Sequence, residues 1–191
     1  MNRADILNRI IKSSGAKKYL EIGIDYGINF ASIDCEYKIG VDPEPNVPTT
    51  FHLTSDDFFE QNKENFDVIF IDGLHHADQV YKDIINSLKV LNKNGYILCH
   101  DINPMTEEIQ ILPYRGGSWT GDCWKAFVKL RMEKNDLEMY TVDTDYGCGI
   151  ITRGYQKLLK ISDPITYNYL NQNRKELLNL ISPEEFLSKM I

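Results

Sequence analysis

The residues best placed to do chemistry in this chain follow its apolar runs. Val68-Ile69-Phe70-Ile71 leads into Asp72-Gly73-Leu74-His75-His76, and Tyr96–Cys99 leads into His100-Asp101-Ile102-Asn103. An imidazole titrates near neutrality, so His75, three residues after Asp72, is a candidate general base. The carboxylates of Asp72 and Asp101 and the amide oxygen of Asn103 are hard ligands of the kind that suit Mg²⁺ or Ca²⁺. An earlier apolar run ends in Glu21-Ile22-Gly23-Ile24-Asp25-Tyr26-Gly27. Its glycines allow a tight turn and close approach of a ligand to the backbone, or simply a connection. Asp42 follows the next run, about 20 residues on. An acid there accepts hydrogen bonds from both hydroxyls of a ribose, or else stands solvated before Pro43. Gly116-Gly117-Ser118-Trp119-Thr120-Gly121 reads as a flap whose indole can stack on a sugar or an aromatic ring. Trp124, just beyond it, is expected in the core.

These groups meet only if the elements before them bring the ends of the runs together. Residues 3–12 carry Ile6, Leu7, Ile10 and Ile11 at helical spacing. Tyr19–Ile22, Tyr37–Val41, Thr49–Leu53, Phe66–Ile71, Tyr96–Cys99, Glu138–Val142 and Gly149–Thr152 read as strands. Residues 28–35, a short segment capped by Ser55 and Asp56, residues 77–91 and a segment capped by Asp122 read as helices. Asn94-Gly95 reads as a turn. Strands alternating with helices mean an α/β domain with a mainly parallel sheet. The last two strands are joined too tightly for a helical crossover and should pair antiparallel. In such a sheet the ligand lies beyond the carboxyl ends of the strands, where the polar residues stand. Residues 1–152 are expected to form this domain. Residues 153–191 are expected to be a helical appendage of it, broken at Pro164 and Pro183, that packs or makes a homodimer.

Composition narrows the partners. The chain has 191 residues and a net charge of −7, from 21 Lys+Arg and 28 Asp+Glu. That balance disfavours general nucleic-acid binding, which needs a basic face, and adhesion to anionic lipid. The apolar runs span a few residues each, whereas a membrane helix needs about 20. Cys35, Cys99, Cys123 and Cys148 form no CxxC pair, which suits free thiols in a reducing cytoplasm. There is no GxxxxGK[ST] phosphate loop. GxGxxG is absent too, since Asp25 stands where its second glycine would be, which weighs against a nicotinamide-dependent oxidoreductase.

Glu21-x-Gly23-x-x-x-Gly27, Asp42 and Phe66–His75 resemble a class I S-adenosylmethionine (SAM) methyltransferase. Ile71-Asp72-Gly73-x-His75 followed by His100-Asp101 is more particular. It resembles the small-molecule O-methyltransferases related to macrocin O-methyltransferase and, distantly, catechol O-methyltransferase. The resemblance implies a Rossmann-like, doubly wound, mostly parallel seven-stranded sheet. It would have one antiparallel strand near the C-terminus and helices on both faces. It implies that Glu21, Gly23 and Gly27 surround the amino-acid end of SAM, that Asp42 holds the ribose, and that Ser55 and Asp56 lie near the adenine. It implies that Asp72 would border the cofactor and, with Asp101 and Asn103, would bind Mg²⁺. His75 would be the base, and Trp119 and His100 would face a small hydroxylated, sugar-bearing acceptor. The alternative is a non-catalytic binding protein that keeps the fold.

Overall fold

In the computed structural model, residues 1–161 and 165–190 are described. The break expected at Pro164 lies outside them. α1 (Arg3–Ser14) begins in a capping box between Asn2 and Asp5 and ends at Gly15 in the left-handed conformation. It is followed by β1 (Lys18–Ile22), α2 (Ile28–Ser32), β2 (Tyr37–Val41), α3 (Ser55–Gln61), β3 (Phe66–Ile71), α4 (Ala77–Val90) and β4 (Leu91–Cys99). The second half carries α5 (Cys123–Glu133), β5 (Leu137–Val142), β6 (Cys148–Arg153), α6 (Tyr167–Leu177), β7 (Leu180–Ile181) and α7 (Pro183–Lys189). One seven-stranded sheet runs β2-β1-β3-β4-β6-β5-β7. Only β6 is antiparallel to its neighbours. The expected fold class is borne out.

Alternation along the strands builds two cores, because successive side chains point to opposite faces. Val68 and Phe70 of β3 join Ile6, Leu7 and Ile10 of α1 and Phe186 of α7 on one face. Ile69 and Ile71 join Phe58 of α3, Ile84 of α4, Trp124 and Phe127 of α5 and Leu170 of α6 on the other. A strand covered on both faces must be apolar throughout, which is why β3 is the plainest strand in the sequence. Trp124 is fully buried, as expected.

Several expectations need correction. Thr49–Leu53 is not a strand: Phe51 alone bridges Val41. Pro43, Pro45 and Pro48 lack amide donors and shorten any pairing before it. The seventh strand is instead β7, which pairs parallel to β5 at the opposite edge. The segment after Thr152 is therefore not wholly helical, and its apolar residues Leu170, Leu177 and Phe186 are buried in the chain's own core. Asn94-Gly95 lies inside β4, where the register with β3 shifts between Phe66 and Val68. A Cβ on Gly95 would sit 2.7 Å from the Asp67 carbonyl oxygen, so this irregularity needs glycine. Thr54 rather than Ser55 caps α3. Asp122 makes no cap bond to α5, and its Oδ1 accepts from the Ala77 N–H of α4 at 2.8 Å. No helix among the described residues is long and apolar enough to cross a membrane.

Candidate active site

Since β1 to β5 run parallel, their carboxyl ends share one edge of the sheet. The turn from β5 into β6, residues 143–147, lies at that edge too. A cleft of about 840 Å³ opens there. Glu21, Gly23, Asp42, Ser55, Asp56, Asp72, His75, His100, Asp101 and Trp119 line it. Backbone strain collects around it: Asp25, Asp101, Asp145 and Tyr146 all have positive φ (45°, 61°, 49° and 58°).

One end of the cleft is built on β1, β2 and α3. Glu21 is buried and accepts from the Tyr19 hydroxyl and from Asn29 Nδ2. Burial pushes its carboxyl up to about 7, against the hydrogen bonds from Tyr19 and Asn29. The side-chain oxygen of Asn29, also in the cleft wall, is buried without a partner among the described residues. Gly23 (φ 90°) passes so close to β3 that a Cβ would lie 2.2 Å from the Asp72 carbonyl oxygen. Asp42 accepts from the N–H groups of Ile24 (2.8 Å), Asp25 (3.0 Å) and Glu44 (2.8 Å). It thus fixes the turn after β1 while facing the cleft. A carboxylate has about four acceptor sites, so one remains for a ligand. Gln79 Nε2 ties Ser55 Oγ (3.1 Å) to Asp56 Oδ1 (3.2 Å) and to buried Asp83 (3.0 Å). Gly27 does not line the cleft; it starts α2 in the left-handed conformation.

The other end gathers acids and imidazoles. His75 Nε2 lies 3.5 Å from Asp72 Oδ1, and Nδ1 lies 3.3 Å from Asp101 Oδ2 and 3.2 Å from the Trp119 carbonyl oxygen. Its ring stacks on Trp119, centroids 5.1 Å apart and 23° from parallel. Burial opposes a charge on His75, but the hydrogen bond to Asp72 and the fields of Asp101 and Asp72 outweigh it, so its pKa lies above the ordinary value. His100 Nδ1 faces Asp72 (3.2 Å) and Asp101 (3.4 Å), and Nε2 faces Asp145 (3.5 Å). Burial again opposes the charge, and Asp72, Asp101 and Asp145 outweigh it, so the pKa of His100 lies above the ordinary value. Asp72 is held far below the usual carboxylate range: burial acts against this, and His100 and His75 prevail.

One expected residue stands elsewhere. Asn103 is not in the cleft wall: its amide donates to Asp143 at 2.9 Å and accepts from Arg174. It is no metal ligand. His100 lines the cleft, and carboxylates face both its nitrogens. The sequence assigns no chemistry to Arg3, Asn29, Gln79, Asp145 and Tyr146, all of which bear on the cleft; Asp145 and Tyr146 stand in a tight connection expected to border it. The strand-end rule that singled out Asp72 would also have found Asp145, which follows β5.

A methyltransferase-domain family model matches residues 44–102. The solved structures most like this chain include the SAH-bound methyltransferase PaMTH1 of Podospora anserina (18% identity, TM-score 0.58, 80% of this chain and 78% of that one). They also include the O-methyltransferase TomG of Streptomyces achromogenes in complex with SAM (12%, 0.60, 79% and 79%). A third is the O-methyltransferase of Bacillus cereus in complex with SAH (15%, 0.58, 78% and 79%). The fold is the methyltransferase fold. No protein of curated function matches the chain significantly. The resemblance to a class I SAM methyltransferase read from the strand-end residues is borne out, at the level of the fold, by the domain match and by these neighbours.

The residues fit SAM. The unpartnered Asn29 oxygen beside Glu21 offers acceptors to an ammonium group, the Gly23 turn leaves room at the backbone, and Asp42 keeps an acceptor site free. They do not fit Mg²⁺. Asp72, His75 and Asp101 each place a ligand atom within 4.8 Å of the others. Every carboxylate oxygen in the set, however, already faces a nitrogen: His75, His100, or Arg3 Nε at 3.8 Å. Two unit charges about 4 Å apart interact by about 4 kcal/mol at an effective dielectric near 20, and a divalent ion at that distance from the Arg3 charge meets roughly twice that opposition.

Proposed function

We propose that this chain is a SAM-dependent O-methyltransferase of a small hydroxylated, sugar-bearing molecule, with His75 as general base. The observation that carries the reading is one cleft that joins the Glu21–Asn29–Asp42 end to the Asp72–His75–Asp101 end, on a methyltransferase fold. SAM supplies a methyl group on a sulfonium when bound. Glu21 and Asn29 would take its ammonium group and Asp42 its ribose, with Ser55 and Asp56 near the adenine. The two ends of the cleft would then hold methyl and acceptor oxygen in line, and positioning supplies much of the acceleration. His75 Nδ1 faces a carbonyl oxygen, which can only accept, so Nδ1 carries the hydrogen. Nε2 is left to take the proton from the acceptor hydroxyl as its oxygen gains the methyl group, whose bond to sulfur would break and leave S-adenosylhomocysteine as a neutral thioether. Asp101 orients the ring, and Asp72 stabilises the imidazolium that results. Trp119, stacked on His75 in the cleft wall, would border the acceptor. The cysteines Cys35, Cys99, Cys123 and Cys148 are free, which supports a reducing compartment such as the cytoplasm.

Titration calorimetry with S-adenosylhomocysteine tests the cofactor end, and an acceptor screen with methyl-labelled SAM tests the reaction. Saturable one-to-one binding is expected, and its absence from pure, folded protein would overturn the proposal. Glu21 adds a pH signature. Its carboxyl holds a proton below about 7 in the free protein, and an ammonium group selects the ionised form. Affinity is therefore expected to fall as pH drops below 7, by up to about tenfold per unit. Glu21→Gln should flatten that slope while weakening binding at pH 8.

A further inference from the structure

The opening helix reaches the acids of the cleft. α1 turns into β1 through residues 15–17, so its first turn lies over the far, carboxyl edge of the sheet, and Arg3 lines the cleft there. The Arg3 backbone N–H donates to Asp145 Oδ2 at 2.9 Å, and Nη1 donates to both Asp145 oxygens at 3.1 and 3.2 Å. The same guanidinium places Nε 3.8 Å from Asp72 Oδ2 and Nη1 3.2 Å from His100 Nε2. Backbone and side chain thus grip one carboxylate, and the charge swings away from Asp72 only by giving up the side-chain bonds to Asp145.

We infer that Arg3 is a built-in counter-cation that keeps the Asp72–Asp101 pair closed to divalent metal ions, so that proton transfer at this site proceeds without one. Arg3 carries its charge at every working pH. A guanidinium offers only donors and cannot ligate a metal, and its Nε, 3.8 Å from Asp72 Oδ2, sets a positive charge beside the oxygen that a metal would need. Asp145 lies between two strands with φ of 49°, and its grip on Arg3 is what the strained turn secures. The inference rests on reading Asp72 and Asp101 as the acids beside the acceptor.

Mn²⁺ is the probe, its free concentration followed by electron paramagnetic resonance in the presence of full-length protein. The wild-type chain is expected to show no saturable binding at millimolar Mn²⁺. Arg3→Gln should gain a site at least about tenfold tighter, and adding Asp101→Asn should remove it. Arg3→Lys, which keeps the charge, should exclude the ion as the wild type does. Three results would each overturn the inference: saturable wild-type binding that Asp101→Asn removes, no gain in Arg3→Gln, or binding by Arg3→Lys equal to that of Arg3→Gln. Methyl transfer by the wild type should also survive EDTA. If S-adenosylhomocysteine calorimetry fails while the Mn²⁺ pattern appears, the methyltransferase proposal falls and the exclusion of metal by Arg3 stands.

Discussion

His75→Ala is expected to lower the rate of methyl transfer by about 10²–10⁴-fold, the usual share of a positioned general base. Affinity for S-adenosylhomocysteine should change little, because His75 stands at the acceptor end of the cleft. The pH profile carries the same assignment. A base works only in its neutral form, and the hydrogen bond to Asp72 and the field of Asp101 raise the pKa of His75 against the effect of burial. Activity should therefore fall as pH drops, with the acid limb centred above the ordinary histidine value of about 6.5. Asp101→Asn removes one carboxylate facing Nδ1 and should move that limb to lower pH. Stopped assays over pH 5 to 9 with saturating labelled SAM read both effects. An unchanged rate in His75→Ala would remove the imidazole from proton transfer.

Asp42→Ala should weaken S-adenosylhomocysteine binding by about 100-fold or more. Hydrogen bonds to a charged acceptor are worth about 1.5–3 kcal/mol each, and Asp42 holds three backbone N–H groups besides the ribose assigned to it. Two losses then combine: the ligand contact, and the fixed shape of the turn after β1. Asp42→Asn separates them. It retains one acceptor oxygen and replaces the other with an NH₂ group, which cannot accept from Ile24 and Asp25. Calorimetry and thermal melting with and without ligand should rank the variants wild type, Asn, Ala. Equal affinity in all three would place the ribose elsewhere and leave Asp42 as a brace for the loop.

Much of the fold was legible in the residues. β3 announced itself because both its faces are covered, and α1 because its apolar residues sit on one stripe. The errors cluster where local pattern carries little information. β7 is two residues long and exists through its pairing with β5. Phe51 reaches a single bridge because the prolines before it supply no donors. Gly95 read as a turn because a glycine that avoids the Asp67 carbonyl looks, in sequence, like one that bends the chain.

The site divides in the same way. The sequence by itself determined that acids and imidazoles end the parallel strands, since a βα unit delivers the residue after each strand to one edge. That was enough to name Glu21, Asp42, Asp72, His75 and Asp101. Only the tertiary structure decided which charges meet. Arg3 and Asp145 are 142 residues apart and in contact, and Asn103, two residues from Asp101, turns away to Asp143 and Arg174. Spacing along a strand fixes the edge a residue reaches. The charge of the site depends on which other elements lay their ends across that edge, and this is set by packing between segments remote in sequence.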